Sequence, residues 1–413
     1  MNILIINQPP FNRGDESAHK GLIRTLVNKF PSAKIRVLYS KDLVESIRQY
    51  AVYSPNVDYL QSPISYIGHS VLYWHGINLE KFNLWKYRPW FMKIKEIYDW
   101  ADCVLCAPGG ICMGGFQDWN HLMHLKLAKT FNKPLVYYGR SFGPFPTETE
   151  SHRTFKRISL EMLNYFSFLS IRDRKSEQLA EKLGVSYVST VDSAFLDSPQ
   201  VEIPYELKYV IGDKPYVVFV PNYLLWHYAY KDRIAHETVI DFYSKVIDTI
   251  WQCNPELNIV MLPQLFCANN YALNDVLLFR ELAEKKNDKR VIVTADCYSS
   301  DIQQTIISGA KFVIGARYHS IVFAINQGVP CIALSYEHKI AGLLETLGKS
   351  EWCVDFTQTL DNEENQEKCL SEIKDIIPKL KPDVQVRDRA KQIAASCMDK
   401  FMEWINKNES SFK

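Results

Sequence analysis

Short apolar runs alternate with amphipathic segments along almost the whole chain, and this alternation restricts the possible fold more than any other feature. The runs are rich in Val, Ile, Leu and Tyr without a period of two, which is typical of strands buried on both faces of a parallel sheet. The predicted strands cover 3–6, 35–39, 103–107, 135–138, 168–171, 187–191, 216–220, 259–262, 291–294, 312–314, 331–334 and 352–355. The sequence therefore predicts an α/β protein with two doubly wound, Rossmann-like domains that face each other across a central cleft.

The domain boundary is predicted within the polar, irregular stretch 199–215. The boundary divides the chain into an N-terminal domain, residues 1–200, and a C-terminal domain, residues 201–385. The last segment, 386–413, contains an amphipathic stretch that we expect to form a helix packed back on the N-terminal domain.

Residues 50–100 break the alternation, because they concentrate Trp, Tyr, Lys and Arg. One interpretation is an insertion packed on its own aromatic side chains. The other is a lid, or a surface that meets a sugar or a lipid-linked acceptor. The sequence leaves both interpretations open.

Charge and composition exclude several classes of protein. Lys and Arg total 48 and Asp and Glu total 47, giving a net charge of +1, which argues against nucleic acid as a partner. The N-terminus MNILIINQPP lacks a basic segment, and its apolar run is too short for a signal peptide, so we expect a cytoplasmic location. The longest uncharged stretches, 59–79 and 318–336, contain polar residues and are not expected to span a membrane.

Cysteine and histidine pairs do not indicate a metal site. Cys103 and Cys106 are three residues apart in a predicted strand, so their side chains point to opposite faces and we expect buried thiols. His121 and His124 have helical spacing, but with no third ligand in view we expect them on a helix surface. We predict no metal and no cofactor.

The segment Val-Ile-Gly-Ala-Arg-Tyr-His-Ser at 313–320 carries the strongest chemical signal. A predicted strand ends at Gly315 and an apolar helix begins near Ser320, so Arg317 and His319 lie where open α/β sheets bind ligands and helix N-termini favour anions. Arg offers a bidentate fork to phosphate or carboxylate, and His exchanges a proton near neutral pH. The structural alternative is that His319 caps the helix and Arg317 pairs with a local acid.

Arg172 lies at a similar strand-to-helix junction in Ser-Ile-Arg-Asp-Arg at 170–174, where pairing with Asp173 is the alternative. Two glycine-containing turns follow predicted strands, and they include Gly109, Gly110, Arg140 and Ser141. Glycine in such turns allows close approach to a ligand, or simply makes a tight turn.

The turn Asn-Arg-Gly-Asp at 12–15 follows the first predicted strand and contains Gly14 and Asp15. Asp15 is either the N-cap of the first helix or an acceptor for sugar hydroxyls. The turn is not a dinucleotide-binding fingerprint, because Gly-x-Gly-x-x-Gly is absent.

These landmarks together resemble the polysaccharide pyruvyl transferase family over residues 1–350. The resemblance is carried by Asn-Arg-Gly-Asp at 12–15, Pro-Gly-Gly at 108–110, Gly-Arg-Ser-Phe-Gly-Pro-Phe at 139–145, Ser-Ile-Arg-Asp at 170–173, Val-Asp-Ser-Ala-Phe at 191–195, Gly-Ala-Arg-Tyr-His-Ser at 315–320, Gly-Val-Pro at 328–330 and Ser-Tyr-Glu-His-Lys at 335–339. Two positions depart from the family pattern: Arg140 stands where Gln is expected, and Ser193 where Pro is expected.

The resemblance implies a GT-B-like fold and the transfer of pyruvate from phosphoenolpyruvate (PEP) to a sugar as a cyclic ketal. It implies that Arg317 and His319 are catalytic and that PEP, the donor substrate, is bound by Arg172, Arg317, Tyr318 and His319. The residues expected to line the cleft or the acceptor site are Gly14, Asp15, Gly109, Gly110, Arg140, Ser141 and Lys339.

The acceptor implied by the family is a hexose of a cell-surface polysaccharide precursor. A lipid carrier for that hexose would place the protein at the inner face of the membrane, in peripheral contact with it. Two other functions stay open: a GT-B nucleotide-sugar glycosyltransferase or epimerase, and a non-catalytic glycan- or lipid-binding subunit. The sequence does not indicate an oligomeric state.

Overall fold

The computed structural model describes residues 1–8, 12–39, 51–64, 89–115, 117–227, 230–266, 271–294, 298–408 and 410. The chain forms two compact units. The first comprises Met1–Pro10, Ala18–Asp197 and Gln392–Lys413, and the second comprises Phe11–Ser17 and Ser198–Lys391. The turn at 12–15 therefore groups with the second unit, although the strand before it belongs to the first.

The first unit contains a seven-stranded parallel sheet. Its strands are β1 (Asn2–Gln8), β2 (Lys34–Tyr39), β3 (Val57–Gln61), β4 (Cys103–Cys106), β5 (Leu135–Tyr137), β6 (Phe168–Ile171) and β7 (Val188–Ser189). The helices in this part of the chain are α1 (Arg13–Lys29), α2 (Pro89–Asp99), α3 (Trp119–Thr130), α4 (Glu150–Leu163) and α5 (Arg174–Leu183). The strand order β3-β2-β1-β4-β5-β6-β7 reverses direction between β1 and β4, so the switch point of this sheet lies at the carboxyl ends of these two strands.

The second unit contains a six-stranded parallel sheet. Its strands are β8 (Tyr216–Val220), β9 (Asn258–Met261), β10 (Val291–Val293), β11 (Val313–Gly315), β12 (Cys331–Ser335) and β13 (Cys353–Asp355). The helices are α6 (Tyr205–Ile211), α7 (His236–Cys253), α8 (Asp275–Lys286), α9 (Ser300–Ser308), α10 (Tyr318–Asn326), α11 (His338–Thr346), α12 (Glu363–Ile376) and α13 (Val384–Asn408). The order β10-β9-β8-β11-β12-β13 places the switch point between β8 and β11.

The predicted α/β class with two parallel sheets is confirmed. The continuous apolar runs form strands because both faces are covered: β4, β9 and β12 are buried along their whole length. The thiols of Cys103 and Cys106 are buried in β4, as expected, and burial raises their pKa values to about 12 and about 11.

Three details of the prediction were wrong. The stretch 199–215 is not wholly irregular, because it contains α6. The predicted strand 187–191 is reduced to the two residues of β7. Helix α12 was not predicted, because its buried residues Cys369, Leu370 and Ile373 are few and are separated by charged ones.

The aromatic-rich region 50–100 is described only in part. Residues 51–64 contain β3, and residues 89–100 contain α2, whose Phe91, Ile94 and Tyr98 are buried in the core. Residues 65–88, which carry most of the basic side chains that suggested a lid, lie outside the described residues.

The second half of α13 packs within the first unit. The ring of Phe401 lies 5.6 Å from that of Tyr138 and 5.3 Å from that of Phe168, and Trp404 stacks on Phe401 at 5.9 Å. Within the described part of the chain, no helix combines the length and the hydropathy required to cross a membrane.

Candidate functional site

Arg317 lies at the switch point of the second sheet. It follows β11 by two residues and is the N-cap of α10, with an extended backbone. Ser320 donates its hydroxyl to the carbonyl of Arg317 at 2.5 Å, and a Cβ on Gly315 would lie 2.0 Å from Ser320 Oγ. Glycine at 315 therefore allows the tight passage from strand to helix that presents Arg317 at the carboxyl edge of the sheet.

Asp275 fixes the position of the Arg317 guanidinium. The carboxylate of Asp275 is fully buried and accepts a hydrogen bond from Nη2 of Arg317. Its second oxygen accepts the backbone N–H groups of Gln264 at 2.9 Å and Leu265 at 3.1 Å. Because the carboxylate is tied to two backbone amides, the guanidinium is held by a rigid anchor rather than by a flexible surface acid.

His319 packs against the glycine of the 12–15 turn. A Cβ on Gly14 would lie 1.8 Å from Nδ1 of His319, so no larger residue fits there without displacing the ring. The imidazole is 8% exposed, and the ring of Tyr318 contacts it edge-on at 5.0 Å. His319 thus lies in the first turn of α10 and beside the first turn of α1, and the N-termini of helices favour anions.

Asn12, rather than Asp15, caps α1. The side-chain oxygen of Asn12 accepts the backbone N–H of Gly14 at 2.8 Å and that of Asp15 at 3.4 Å. The N-cap interpretation of Asp15 was therefore wrong, because the helix begins at Arg13 and Asp15 lies within its first turn. Asp15 is largely buried, and its expected contact with sugar hydroxyls stays a prediction.

Arg13 supplies a second buried guanidinium in this part of the second unit. It pairs with Glu16 at 2.6 Å, and both side chains are nearly or fully buried. Its backbone N–H donates to the carbonyl of Gln264 at 3.0 Å, and Glu16 also accepts the backbone N–H of Ser300 at 3.1 Å. Arg13, Glu16 and Asp275 were not predicted as site residues. Glu16 and Asp275 gave no signal, because acids are ordinary favourable residues in the first turn of a helix.

Arg172 lies in the first unit and pairs with Asp192, and both side chains are buried. Asp173, its neighbour in sequence, caps α5 by accepting the backbone N–H of Ser176 at 3.0 Å. The role of Arg172 in binding PEP stays a prediction that rests on the family resemblance.

Arg140 lies at the switch point of the first sheet and is fully buried. Its Nη1 donates to the carbonyl of Ala107, just after β4, at 2.6 Å and to that of Asn7 on β1 at 3.4 Å, while Nη2 lies 2.9 Å from Sγ of Cys112. A Cβ on Gly109 would lie 3.1 Å from Nη1. The guanidinium therefore links the two strand ends.

The other residues expected to line the cleft differ in their surroundings. A Cβ on Gly110 would meet no described atom within 4 Å, Ser141 is fully buried, and Lys339 lies 3.5 Å from Glu337 in an ion pair. Contact between Gly110, Ser141 or Lys339 and the sugar acceptor stays a prediction.

The expectation that His121 and His124 lie on a helix surface was wrong. Both are buried in the core, at 3% and 1% exposure. Burial lowers the pKa of His124 to about 3, and burial together with the charge of Arg140 lowers that of His121 well below its usual value. Helix α3 is buried on several sides, so helical spacing alone did not identify a solvent face. Among the described residues, no group of three or more His, Cys, Asp or Glu side chains could hold a metal ion.

Comparison with protein families connects these observations. The family described as polysaccharide pyruvyl transferase matches residues 12–338, which run from the Asn12 turn past the Arg317–His319 segment. The chain belongs to the polysaccharide pyruvyl transferase family. The chain is also 24% identical over 274 residues to the amylovoran biosynthesis protein AmsJ of Erwinia amylovora. The alignment covers 63% of each protein, so it spans less than two thirds of the length of AmsJ.

Solved structures agree on the fold. The UDP-GlcNAc 2-epimerase of Methanocaldococcus jannaschii matches with a TM-score of 0.57 and 11% identity, over 96% of this chain and 100% of that one. TcCGT1, solved in complex with UDP, matches with a TM-score of 0.56 and 9% identity, over 100% and 98% of the two chains. At these identities the matches show the fold alone, and the expected GT-B-like fold is confirmed.

Proposed function

We propose that this protein transfers the pyruvyl group of PEP to a hexose of a cell-surface polysaccharide precursor and forms a cyclic ketal. The observation that carries the proposal is the pairing of Arg317 with the buried Asp275 at the switch point where His319 packs against Gly14, in a chain of the pyruvyl transferase family. The name of the relative AmsJ, which refers to amylovoran biosynthesis, supports a polysaccharide acceptor.

Arg317 is the proposed ligand of the PEP anion. PEP carries a phosphate and a carboxylate, and either group matches the planar fork of a guanidinium. Because Asp275 holds Arg317 on one side, the remaining N–H groups are oriented before PEP arrives, and little side-chain freedom is lost on binding. Tyr318, whose ring contacts His319, and the amides of the first turn of α10 complete the proposed donor site.

His319 is the proposed general acid. It transfers a proton to the methylene carbon of PEP, and C2 becomes electrophilic. A hydroxyl of the sugar attacks C2 and loses its proton, the C2–O bond to phosphate breaks, and a neighbouring hydroxyl closes the ketal. Two hydroxyl protons are lost and one proton is gained at carbon, so one proton leaves with phosphate or to solvent. General acid catalysis of this kind contributes about 10²–10⁴-fold.

Phosphate release from PEP tests the proposal. The purified protein is incubated with PEP and with methyl glycosides or polyprenyl diphosphate-linked forms of glucose, galactose, mannose and N-acetylglucosamine, and a ketal adduct is sought by mass spectrometry. We expect His319→Ala to abolish release and Arg317→Ala to weaken PEP binding by about 10–100-fold, or roughly 1.5–3 kcal/mol. Arg233→Ala, which removes a surface arginine paired with Asp361 in the same unit, is the matched control and is expected to bind PEP normally.

The similarity of the fold to UDP-GlcNAc 2-epimerases favours a nucleotide-sugar enzyme as the second candidate. Thermal shift with UDP-GlcNAc and with PEP separates the two. Stabilisation and turnover with the nucleotide sugar alone would refute pyruvyl transfer, and binding of glycans without any turnover would favour a non-catalytic subunit.

A further inference from the structure

Tyr223, His236 and Glu281 form a second group of titratable side chains in the second unit, and none of them belongs to the proposed PEP site. Glu281 on α8 lies 2.7 Å from Nε2 of His236, which begins α7. Nδ1 of His236 lies 3.2 Å from the phenol oxygen of Tyr223. Tyr271 donates its hydroxyl to the other oxygen of Glu281 at 2.7 Å. Glu281, His236 and Tyr223 are therefore linked by one continuous series of hydrogen bonds.

The direction of hydrogen bonding in this chain follows from the ionised carboxylate. Burial acts to raise the pKa of Glu281, but hydrogen bonds from Tyr271 and His236 outweigh it and leave the pKa below its usual value. An ionised Glu281 accepts only, so Nε2 of His236 carries a proton and donates it. When the imidazole carries this one proton, Nδ1 is an acceptor for the hydroxyl of Tyr223.

Tyr223 is half-buried and lies at one end of these hydrogen bonds. Burial and the charges of Glu281 and Glu237 raise its pKa, so the phenol is protonated at neutral pH. The side chains of His236 and Glu281 are about one-third exposed, unlike the core histidines of the first unit. The ring of Tyr271 lies 4.8 Å from that of Tyr223, tilted by 39°, and adjacent aromatic rings suit the apolar face of a hexose.

Tyr223 and Arg317, the residue proposed to bind PEP, follow two neighbouring strands of the second sheet. Val220 at the end of β8 pairs with Gly315 at the end of β11, so Tyr223 and Arg317 leave the sheet from neighbouring strand ends, three and two residues further on. Helix α8 begins with Asp275, which holds Arg317, and Glu281 is six residues later. At a rise of about 1.5 Å per residue, the Cα atoms of the two acids are separated by about 9 Å along the helix axis.

We propose that Tyr223, supported by His236 and Glu281, accepts the proton of the sugar hydroxyl that attacks C2 of PEP. This inference rests on the proposed function. As the hydroxyl oxygen bonds to C2, its proton passes to the phenol oxygen while the phenol proton passes to Nδ1 of His236. Glu281 stabilises the resulting imidazolium, which returns the proton to phosphate or solvent before the next turnover. Tyr223 is the catalytic residue, and His236 and Glu281 are positioning residues.

The experiment compares PEP-dependent phosphate release by the full chain and its variants, with the glycosides named above. We expect Tyr223→Phe to lower kcat by about 10²-fold or more while the KM for PEP and the unfolding temperature stay within error. Tyr187→Phe is the matched control, because it also removes a tyrosine hydroxyl that donates to a glutamate, Glu181 at 2.8 Å, but at an exposed place in the first unit, and we expect a change in kcat below about threefold.

Two further variants separate a relay from a structural contact. We expect Glu281→Gln to lower kcat by about 10-fold or more, because an uncharged amide no longer stabilises the imidazolium. We expect His236→Ala to lose activity that added imidazole restores in part, which a packing defect would not do.

These measurements distinguish failure of the Tyr223 relay from failure of the pyruvyl transferase proposal. Full kcat in Tyr223→Phe, or losses confined to the KM for PEP or to folding, would overturn the relay and leave the pyruvyl transferase proposal intact. The absence of PEP-dependent phosphate release by the unmodified protein with every glycoside would overturn both.

Discussion

Asp275→Asn is the substitution whose effect follows most directly from the structure. Asp275 uses one oxygen for Arg317 and the other for the amides of Gln264 and Leu265. In an asparagine, the single oxygen can keep only one of these two sets. If it keeps the backbone amides, the new NH₂ group faces the guanidinium, and two donors oppose each other in a buried place.

The expected loss of stability can be worked from these contacts. Removing a hydrogen bond between charged groups costs about 1.5–3 kcal/mol. For a unit of about 200 residues, 1 kcal/mol shifts the unfolding temperature by about 2–4 °C, so we expect a decrease of about 3–12 °C. PEP affinity is expected to fall by about 10–100-fold, which corresponds to about 1.4–2.8 kcal/mol, because Arg317 is no longer oriented before PEP binds.

The assay is a thermal unfolding scan together with calorimetric titration of PEP, both on the full chain. Asp361→Asn is the matched control, since Asp361 also pairs with an arginine of the second unit, Arg233 at 3.1 Å, but through a single exposed hydrogen bond. Exposed pairs contribute little, so the control is expected to change stability by less than about 1 kcal/mol and to leave PEP binding unchanged.

A rise in PEP affinity in Asp275→Asn would contradict an orienting role for Asp275. Removing a carboxylate also removes a charge that repels PEP, and a gain would mean that this repulsion outweighs the orientation of Arg317. Unchanged affinity with a lower unfolding temperature would assign Asp275 to folding alone.

Three further predictions follow from the contacts described. Gly14→Ala should lower PEP turnover, because the added methyl group displaces the ring of His319. Gly342→Ala is the control: its methyl group would meet no described atom within 4 Å, so turnover should be unchanged. Equal activity in the two variants would contradict the close packing of His319 on Gly14. Arg140→Gln should destabilise the protein by about 1–3 kcal/mol in urea unfolding, and a stable variant would show that the contact with Ala107 contributes little. Burial lowers the pKa of His124 to about 3, so the unfolded chain takes up a proton at this histidine at a higher pH than the folded one. The free energy of unfolding should therefore fall by up to about 4–5 kcal/mol as the pH drops from about 6.5 to 3. Acid unfolding of His124→Gln should show a shallower fall, and an unchanged slope would contradict the buried, neutral state of His124.

The strands and their class were predictable from local sequence, because a run of apolar residues must be covered on both faces wherever it lies in the chain. β1, β4, β8 and β11 follow directly from such runs. Helix α12 and the short length of β7, which was predicted over 187–191, did not follow from local patterns in this way.

The histidines show the same limit. His121 and His124 have the spacing of a helix surface, yet α3 is surrounded by other elements and both side chains are buried. No role was predicted for His236, because its partners Tyr223 and Glu281 are 13 and 45 residues away along the chain.

Local sequence patterns were enough to predict two parallel α/β sheets and to place Arg317 and His319 where a strand meets a helix. These are properties of short stretches: hydrophobic period, glycine at a turn, and the residue types that follow it. Three contacts could be known only from the folded protein: Asp275 holds Arg317, Gly14 makes room for His319, and Arg172 pairs with Asp192. Partners of buried charges are chosen by which groups the fold brings within a few ångströms of each other, and residues that are distant along the chain leave no local signal of that choice.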